Sequence, residues 1–403
     1  MDTKFFKLSN GLPVIYVRNR GAALVHACFT VNAGAKNSPK DKAGLAHALE
    51  HLLLVDIIRN DDSAISSNIA GSTDENLTTF DFSVLRQDYA RVLQALGQAM
   101  VTPNFVESNW QSERQVIFEE MRCDTDDDDV DLLCGYSFKT HQVDVVGSRK
   151  SVEHITLGDL QSFWRQYYTA PNCVLCICGD CDDCEAWAEQ SFGLMRNALA
   201  PTFVKPTFSG KICYKEERGD KVELALYFDA SGAPQDELTM LAHYLGGLTT
   251  VGLFRALRAE QKLVYRANCY VCAYSYGTLF EIETTCSKHN FDQVAHAIGN
   301  ELRALCSQEL SAKVLTAARD SQTIEYYRLA ANAPELLESY ADDWLCGNFV
   351  PMAQRIADLQ NISPAALKNT ANKLFAGKTP LRVITGSIGM AKAKKVLADA
   401  LSL

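Results

Sequence analysis

The segment His47-Ala-Leu-Glu-His51 carries the residue types that most readily bind a transition metal. Leucines recur at helical spacing from Ala43 to about Ile57, so a helix is predicted there. Residues four apart share one helix face, so both imidazoles can approach one cation with Glu50 beside them. Two imidazoles and one carboxylate would leave the fourth position of a zinc ion open for water. The spacing therefore predicts catalytic zinc, with Glu50 as the base that activates water, unless the three residues form only a polar patch.

The third zinc ligand is expected to be a carboxylate on another element that faces this helix. A second helix, predicted at about 106–123, offers Glu113, Glu119 and Glu120. Its inward side is marked by three apolar residues, Val116, Ile117 and Met121. Glu113 and Glu120 lie seven positions apart and share that side, whereas Glu119 turns outward. We therefore predict Glu120 as the ligand and Glu113 as a residue that orients a histidine, the alternative being a solvated acidic face.

Length and composition set the frame for these elements. The chain has 403 residues, which favours two or more domains, and 47% hydrophobic with 22% charged residues is typical of a soluble globular protein. The net charge of -10 argues against nucleic-acid binding. The amino terminus shows no signal peptide and no apolar run reaches a membrane span, so we expect a cytoplasmic protein without a membrane partner.

The order of predicted elements is that of a mixed α+β protein. Strands are predicted at Leu12–Val17, Leu24–Val31 and Leu77–Leu85, before and after the first helix, and further helices at about 87–101 and 106–123. A later part of the chain repeats the order, with three predicted segments: a strand at Glu223–Phe228, a turn at Ser231–Pro234 and a helix from about Gln235 to Leu245.

An offset of 196 positions places the metal motif on a second copy of itself. Leu45–Leu52 then aligns with Leu241–Leu248, and Leu, Ala, His and Leu coincide. Glu50 and His51 fall on Gly246 and Gly247, so the second copy could not bind metal in the same way. Unless two apolar helices match by chance, the chain holds two modules. We predict a metal-bearing module at 1–196, a linker at 197–212 and an inactive duplicate at 213–403.

Fourteen cysteines invite a search for a further metal site or for disulfides. Many of them lie in apolar, strand-like segments, where free cysteines act as small buried hydrophobes in a reducing compartment. Cys178, Cys181 and Cys184 have the spacing of a thiolate cluster but lack a fourth ligand at a useful distance. Loop cysteines are therefore preferred over a metal cluster, and the role of this run stays open.

The motifs together resemble the pitrilysin (M16) metallopeptidases, the family of insulin-degrading enzyme and mitochondrial processing peptidase. The resemblance spans nearly the whole chain and rests on these segments: Gly44–Leu52, Glu113–Glu120, Leu8–Gly11, Gly147 with Val152–Thr156, Tyr168–Asn172 and Gly179-Asp180. It implies two duplicated α/β sandwich modules, each an antiparallel sheet backed by helices. It also implies Zn²⁺ as the cofactor and subunits that pair around a closed chamber.

Further site residues are implied by the resemblance alone. Arg258 and Tyr265 are similar to a pair that contacts substrate near the zinc, where an Arg can bind a carbonyl and a Tyr can stabilise an oxyanion. The family's substrate-binding Asn-Ala pair is missing in that form, which leaves Asn76 as a weak candidate. The 69 positions between His51 and Glu120 are also several fewer than is usual.

The expected function is that of a zinc endopeptidase acting on peptides or unfolded polypeptide segments. Because the zinc motif and the Arg/Tyr pair occur on one chain, a homodimer would be self-sufficient, with two equivalent sites. Two alternatives stay open, a subunit of a heterodimeric peptidase and a noncatalytic scaffold. Scaffold relatives usually have broken zinc motifs, and this chain has an intact one.

Overall fold

A computed structural model of the chain describes residues 2–58, 65, 68–123, 144–202, 208–248 and 250–402. These residues form two compact units. The first contains the described residues up to 202 together with 329–351, and the second contains 208–328 and 352–402. Within the ranges that the structure describes, every helix is too short or too polar to cross a lipid bilayer.

The first unit is built on a six-stranded sheet. Its strands are β1 (Asp2–Lys7), β2 (Pro13–Arg18), β3 (Leu24–Val31), β4 (Ile69–Thr73), β5 (Thr78–Leu85) and β6 (Cys173–Gly179). Its helices before the second unit are α1 (Leu45–Ile58), α2 (Tyr89–Val101), α3 (Glu107–Cys123), α4 (Arg149–Glu153), α5 (Leu157–Tyr167) and α6 (Cys184–Phe192). The predicted helix at 43–57 and the helices near 87–101 and 106–123 are confirmed to within about two residues at each end.

The strands of this sheet run in the order β1-β2-β6-β3-β5-β4, which leaves β4 at an edge. Alternate residues of the central strands, such as Phe29, Leu175 and Phe80, point into one hydrophobic core with the helices. Helix α1 lies in this core and packs against α2, α3, α5 and β4. The edge strand β4 and helix α3 are therefore placed to supply groups to the exposed side of α1.

The opposite face of this sheet is covered by a helix from much later in the chain. Helix α10 (Ala333–Leu345) packs on β3 and β6, and the ring of its Trp344 stacks on Phe5 of β1 at 4.6 Å between centroids. Residues 329–351 thus belong to the first unit, although the predicted second module, 213–403, includes them. The physical reason is that the apolar side of α10 is buried on a sheet formed by residues more than a hundred positions earlier.

The second unit has a five-stranded sheet made of β7 (Ile212–Lys215), β8 (Lys221–Asp229), β9 (Val264–Tyr274), β10 (Gly277–Ser287) and β11 (Leu381–Gly386). Its α-helices are α7 (Gln235–Ala242), α8 (Phe291–Ser307), α9 (Ala312–Ala331, whose last three residues belong to the first unit), α11 (Met352–Leu359), α12 (Pro364–Phe375) and α13 (Met390–Ala400). Two short π-helical segments complete it, His243–Gly247 and Phe254–Glu260.

The two units repeat one topology. The second sheet has the order β7-β11-β8-β10-β9. If β1 is set aside, each sheet has five strands, which can be numbered one to five by their order in the chain. Both sheets then show the same spatial order, first-fifth-second-fourth-third. Both sheets are antiparallel apart from a single pair, β2 with β6 and β7 with β11, which is parallel. A shared exception of this kind confirms the duplicated fold and refines the expectation of purely antiparallel sheets.

Candidate metal centre

Helix α1 places His47 and His51 one turn apart on the side that faces a cleft. The Nε2 atoms of the two rings lie 3.3 Å apart. Only 14% of the His47 side chain and 13% of the His51 side chain are exposed. Burial lowers the pKa of His47 to about 4, and the nearby His51 ring acts in the same direction. His47 is therefore neutral at physiological pH, which is the form in which imidazole binds metals.

Helix α3 brings two carboxylates to these rings. Glu120 Oε2 lies 3.8 Å from His47 Nε2 and 3.4 Å from His51 Nε2. Glu113 Oε2 lies 3.1 Å from Nδ1 of His51, on the far side of that ring. Glu119 is exposed and forms an ion pair with Arg122, so the predicted phase of the three glutamates agrees with their positions.

One residue used to predict that phase does not lie where we expected. Val116 is 44% exposed, whereas Ile117 is fully buried. The stripe of α3 that enters the core contains Trp110 and Ile117, which are seven positions apart, and Val116 falls beside this stripe. Val116 was therefore wrongly placed on the inward side, while Glu113 and Glu120 still face α1.

The distances among the three donor atoms fit a zinc ion. Tetrahedral zinc with bonds of about 2.0–2.1 Å separates its ligand atoms by roughly 3.3–3.4 Å. The observed separations among His47, His51 and Glu120 range from 3.3 to 3.8 Å. In the part of the chain that the structure describes, this is the one group of three such residues whose ligand atoms come within 4.8 Å of one another. Two nitrogens and a carboxylate oxygen are also the donors that zinc prefers in catalytic sites.

Glu50 lies beside the donor atoms and is almost fully buried, with 4% of its surface exposed. The hydroxyl of Thr73 in β4 donates a hydrogen bond of 2.8 Å to its Oε2. Burial raises the pKa of the Glu50 carboxyl above its usual value, and the Thr73 hydrogen bond opposes that rise. A carboxylate with a raised pKa next to a metal site has the properties of a general base.

Gly71 provides the space that Glu50 occupies. A Cβ atom at Gly71 would lie 2.6 Å from Oε1 of Glu50, a distance that only the absence of a side chain permits. Gly71 and Thr73 are two positions apart on β4, so both face Glu50. Sequence analysis missed both residues, because spacing along a strand shows which residues share a face but not which helix that face meets.

An open cleft of about 620 Å³ adjoins the three possible metal ligands and Glu50. It is lined by His47, Glu50, His51, Leu54, Gly71, Ser72, Thr73, Glu120, Val145 and Val146. One wall is the edge strand β4, which within the described ranges pairs with β5 on one side and with no strand on the other. The cleft thus combines a set of metal-binding atoms, a buried carboxylate and a strand edge able to accept another extended segment.

The structure does not bring the other predicted site residues to this cleft within the first unit. Asn76 is only 6% exposed and lies in the turn between β4 and β5, where its side-chain oxygen accepts a hydrogen bond from Lys36. Arg258 belongs to the second unit and is exposed, with its guanidinium 5.2 Å from the ring centroid of Phe254. The side chain of Tyr265 lies outside the described residues, although its backbone belongs to β9.

The three cysteines with cluster spacing are buried free thiols. Cys178 lies at the end of β6, Cys181 lies just after that strand, and Cys184 is the first residue of α6. Burial raises the pKa of all three thiols, so they are protonated at neutral pH. Among the residues that the structure describes, they are not part of a group of three side chains close enough to share a metal ion, and the role of this run stays open.

The second copy of the motif has no space for a base. At the position equivalent to Glu50, a Cβ on Gly246 would lie 2.6 Å from the backbone nitrogen of Cys269 in β9. The helix backbone therefore packs directly on the edge strand where the first unit inserts a carboxylate. His243 keeps its position in the π-helical segment, but Gly247 replaces the second histidine.

Comparisons with known proteins identify the family of both halves of the chain. The model of the insulinase family (peptidase family M16) matches residues 13–134, and the model described as the peptidase M16 inactive domain matches residues 154–322. An uncharacterized zinc protease of Rickettsia felis is 22% identical over 94% of this chain and 96% of its own length. The probable beta subunit of the mitochondrial-processing peptidase of Arabidopsis thaliana is 23% identical, over 94% of this chain and 77% of its own.

A solved structure shows the same fold over nearly the full length. The crystal structure of a peptidase M16 inactive domain from Pseudomonas fluorescens superimposes with a TM-score of 0.81. The match covers 96% of this chain and 98% of that chain at 16% sequence identity. At this identity the match shows the fold, and the chemistry has to be argued from the residues of the cleft.

Proposed function

Because this chain belongs to the M16 family of metallopeptidases, we propose that it is a zinc-dependent endopeptidase. The observation that carries the proposal is the convergence of His47, His51 and Glu120 beside the buried carboxylate of Glu50. Relatives over nearly the whole chain are named zinc proteases, which supports zinc as the metal. The proposed ligands, Glu113, Glu50 and strand β4 would then each have a distinct part in peptide hydrolysis.

His47, His51 and Glu120 would hold the zinc ion, and Glu113 would keep His51 in place. A hydrogen bond from Nδ1 of His51 to Glu113 leaves the lone pair of Nε2 directed at the cleft. When bound, zinc polarises a carbonyl group and lowers the pKa of water towards neutrality. The protein supplies three donors, so one coordination position is left for water or substrate.

Glu50 would act as the general base and then as the general acid. It accepts a proton from the attacking water and returns it to the nitrogen of the scissile bond, which leaves as an amine. Its burial favours this exchange, because a raised pKa brings a carboxyl closer to the pH at which it must take and release protons.

The edge strand β4 would bind the substrate. No strand of the described part of the chain pairs with its outer edge, so its backbone groups can pair with an extended peptide that lies across the cleft beside Glu50. An open cleft with a strand edge suits internal peptide bonds of flexible or unfolded segments. These features favour an endopeptidase over an enzyme for small substrates.

We further propose that two subunits form a chamber in which Arg258 and Tyr265 contact the substrate. An Arg can bind a peptide carbonyl and a Tyr hydroxyl can donate a hydrogen bond to the developing oxyanion. A homodimer would contain every group that this scheme needs. A heterodimer with a related subunit is the second candidate, since the Arabidopsis relative is named as a beta subunit.

Replacing Glu50 with Gln tests the enzymatic proposal. The amide has nearly the same size and cannot accept the proton, so hydrolysis of an internally quenched peptide should fall at least about a thousandfold. Zinc content should stay at the wild-type level, because Glu50 is not a proposed ligand. Wild-type turnover by Glu50→Gln would reject Glu50 as the base, and a wild-type chain that cleaves no peptide in any oligomeric state would reject the peptidase function.

A further inference from the structure

We propose that Thr73 is a positioning residue that fixes the Glu50 carboxylate in its working orientation. The inference rests on the proposed role of Glu50 as the base and names the group on which that role depends. Thr73 Oγ1 donates a hydrogen bond of 2.8 Å to Oε2 of Glu50, whose side chain is almost fully buried. A buried carboxylate needs such a partner, since burial removes the water that would otherwise solvate it.

The second carboxylate oxygen is fixed by the same strand. The backbone of Gly71 packs so closely on Oε1 of Glu50 that a Cβ atom there would lie 2.6 Å away. It would also lie 2.9 Å from Cδ1 of Leu54, one turn further along α1. Strand β4 therefore contacts the carboxylate at both oxygens, through a hydrogen bond at one and close packing at the other. Of these two contacts, only the hydrogen bond can be removed by a substitution that leaves the volume around Glu50 unchanged.

Thr73 is itself positioned by the next strand. Thr78 of β5 lies directly opposite Thr73 in the antiparallel pair, with their hydroxyl oxygens 3.4 Å apart. The Thr78 hydroxyl donates its proton to the backbone oxygen of Ala33 at 2.8 Å. Because a threonine hydroxyl has a single proton and a carboxylate can only accept, the Thr73 proton is directed at Glu50. A β-branched side chain in a strand also has few rotamers, which keeps this direction.

This arrangement predicts an effect on turnover and little effect on substrate binding. The Thr73 hydroxyl is already used by Glu50, so peptide binding at β4 would involve the strand backbone, which a side-chain substitution leaves in place. Loss of the hydrogen bond would let the carboxylate rotate away from the attacking water. A misplacement of about 1 Å can cost on the order of a hundredfold in rate.

The experiment compares Thr73→Val, Thr73→Ala and Thr73→Ser with Thr79→Val as the matched control. Valine keeps the shape of threonine, alanine removes the hydroxyl without pressing a methyl group on Glu50, and serine keeps the hydroxyl. Thr79 is in β5, and its hydroxyl lies 3.1 Å from that of Thr30, so its variant breaks a similar contact away from Glu50. Zinc content, kcat and KM are measured for each purified chain.

We expect kcat to fall about 10- to 100-fold in Thr73→Val and Thr73→Ala, with KM within about twofold of wild type and zinc content unchanged. Thr73→Ser should recover kcat to within about threefold of wild type, and Thr79→Val should match wild type. The inference is overturned if both hydroxyl-free variants keep wild-type kcat, if KM alone changes, or if serine is as defective as valine. Wild-type kcat in Thr73→Val beside an inactive Glu50→Gln rejects this inference alone, whereas an active Glu50→Gln rejects the proposed base as well.

Discussion

Removal of the Glu113 carboxylate should weaken zinc binding although Glu113 is not one of the proposed ligands. Its Oε2 lies 3.1 Å from Nδ1 of His51, and only 17% of its side chain is exposed. The interaction selects the tautomer in which Nε2 of His51 can bind zinc. His47 has no equivalent support, because its Nδ1 is buried without a hydrogen-bond partner among the described residues. Glu113 is thus expected to fix the orientation of the His51 ring.

The magnitude follows from what each substitution leaves behind. Loss of a carboxylate that orients a metal-binding histidine costs about 10- to 100-fold in metal affinity, or about 1.4–2.7 kcal/mol. Glu113→Gln keeps an oxygen that can accept from Nδ1 and loses the charge, so its effect should be near the lower figure. Glu113→Ala leaves a buried Nδ1–H unsatisfied and should approach the upper figure.

The assay is competition for zinc with a chromophoric chelator at fixed pH, with Glu119→Gln as the control. Glu119 lies on the same helix but is exposed and paired with Arg122, so its variant should keep the wild-type dissociation constant for zinc. Circular dichroism verifies that each variant is folded. A folded Glu113→Ala variant that binds zinc within about threefold of wild type would refute the proposed role of Glu113.

Two further predictions concern stability and assembly. In β10 of the second unit, burial raises the pKa of Glu281 to about 8, so the carboxyl binds a proton on folding and the free energy of unfolding should fall as pH rises from about 5 to about 8. Urea denaturation should show a smaller fall for Glu281→Gln, and an identical fall in both proteins would contradict this. If each site combines the two modules from different subunits, mixing inactive Glu50→Gln and Arg258→Ala chains should restore up to about a quarter of wild-type activity. Failure to restore activity, under conditions where subunits exchange, would exclude that arrangement.

The convergence of the proposed metal ligands could be predicted from sequence because it depends on helix periodicity. His47 and His51 share a face by their spacing, and the same rule separates Glu120 from Glu119. These residues need only two helices that face each other across a core. Helical spacing is fixed by backbone geometry, so the residues that share a helix face can be identified without knowledge of the rest of the fold.

The support around Glu50 could not be predicted in the same way. Thr73 and Gly71 contact Glu50 because β4 runs beside α1 at one edge of a sheet, and nothing in the spacing of their own strand specifies that neighbour. Asn76 is close to them in sequence, yet the turn directs its side chain towards Lys36 and away from the cleft. Contacts between elements depend on tertiary packing, which local patterns do not encode.

The boundary between the two units illustrates the same limit. The break in pattern near 197–212 predicts a linker, and the structure places residues up to 202 in the first unit and residues from 208 in the second. The return of 329–351 to the first unit has no comparable signal. An amphipathic helix such as α10 shows that it has an apolar side but not which sheet will cover that side.

The central claim is that three side chains from two helices bind one zinc ion, and metal analysis of Glu120→Gln beside Glu119→Gln tests it most directly. The two substitutions are chemically identical and adjacent on α3, yet Glu120 faces His47 and His51 and Glu119 faces solvent. After dialysis against a weak chelator, wild type and Glu119→Gln should keep about one zinc ion per chain, and Glu120→Gln should keep far less. Full retention of zinc by Glu120→Gln, or equal loss from both variants, would contradict the assignment.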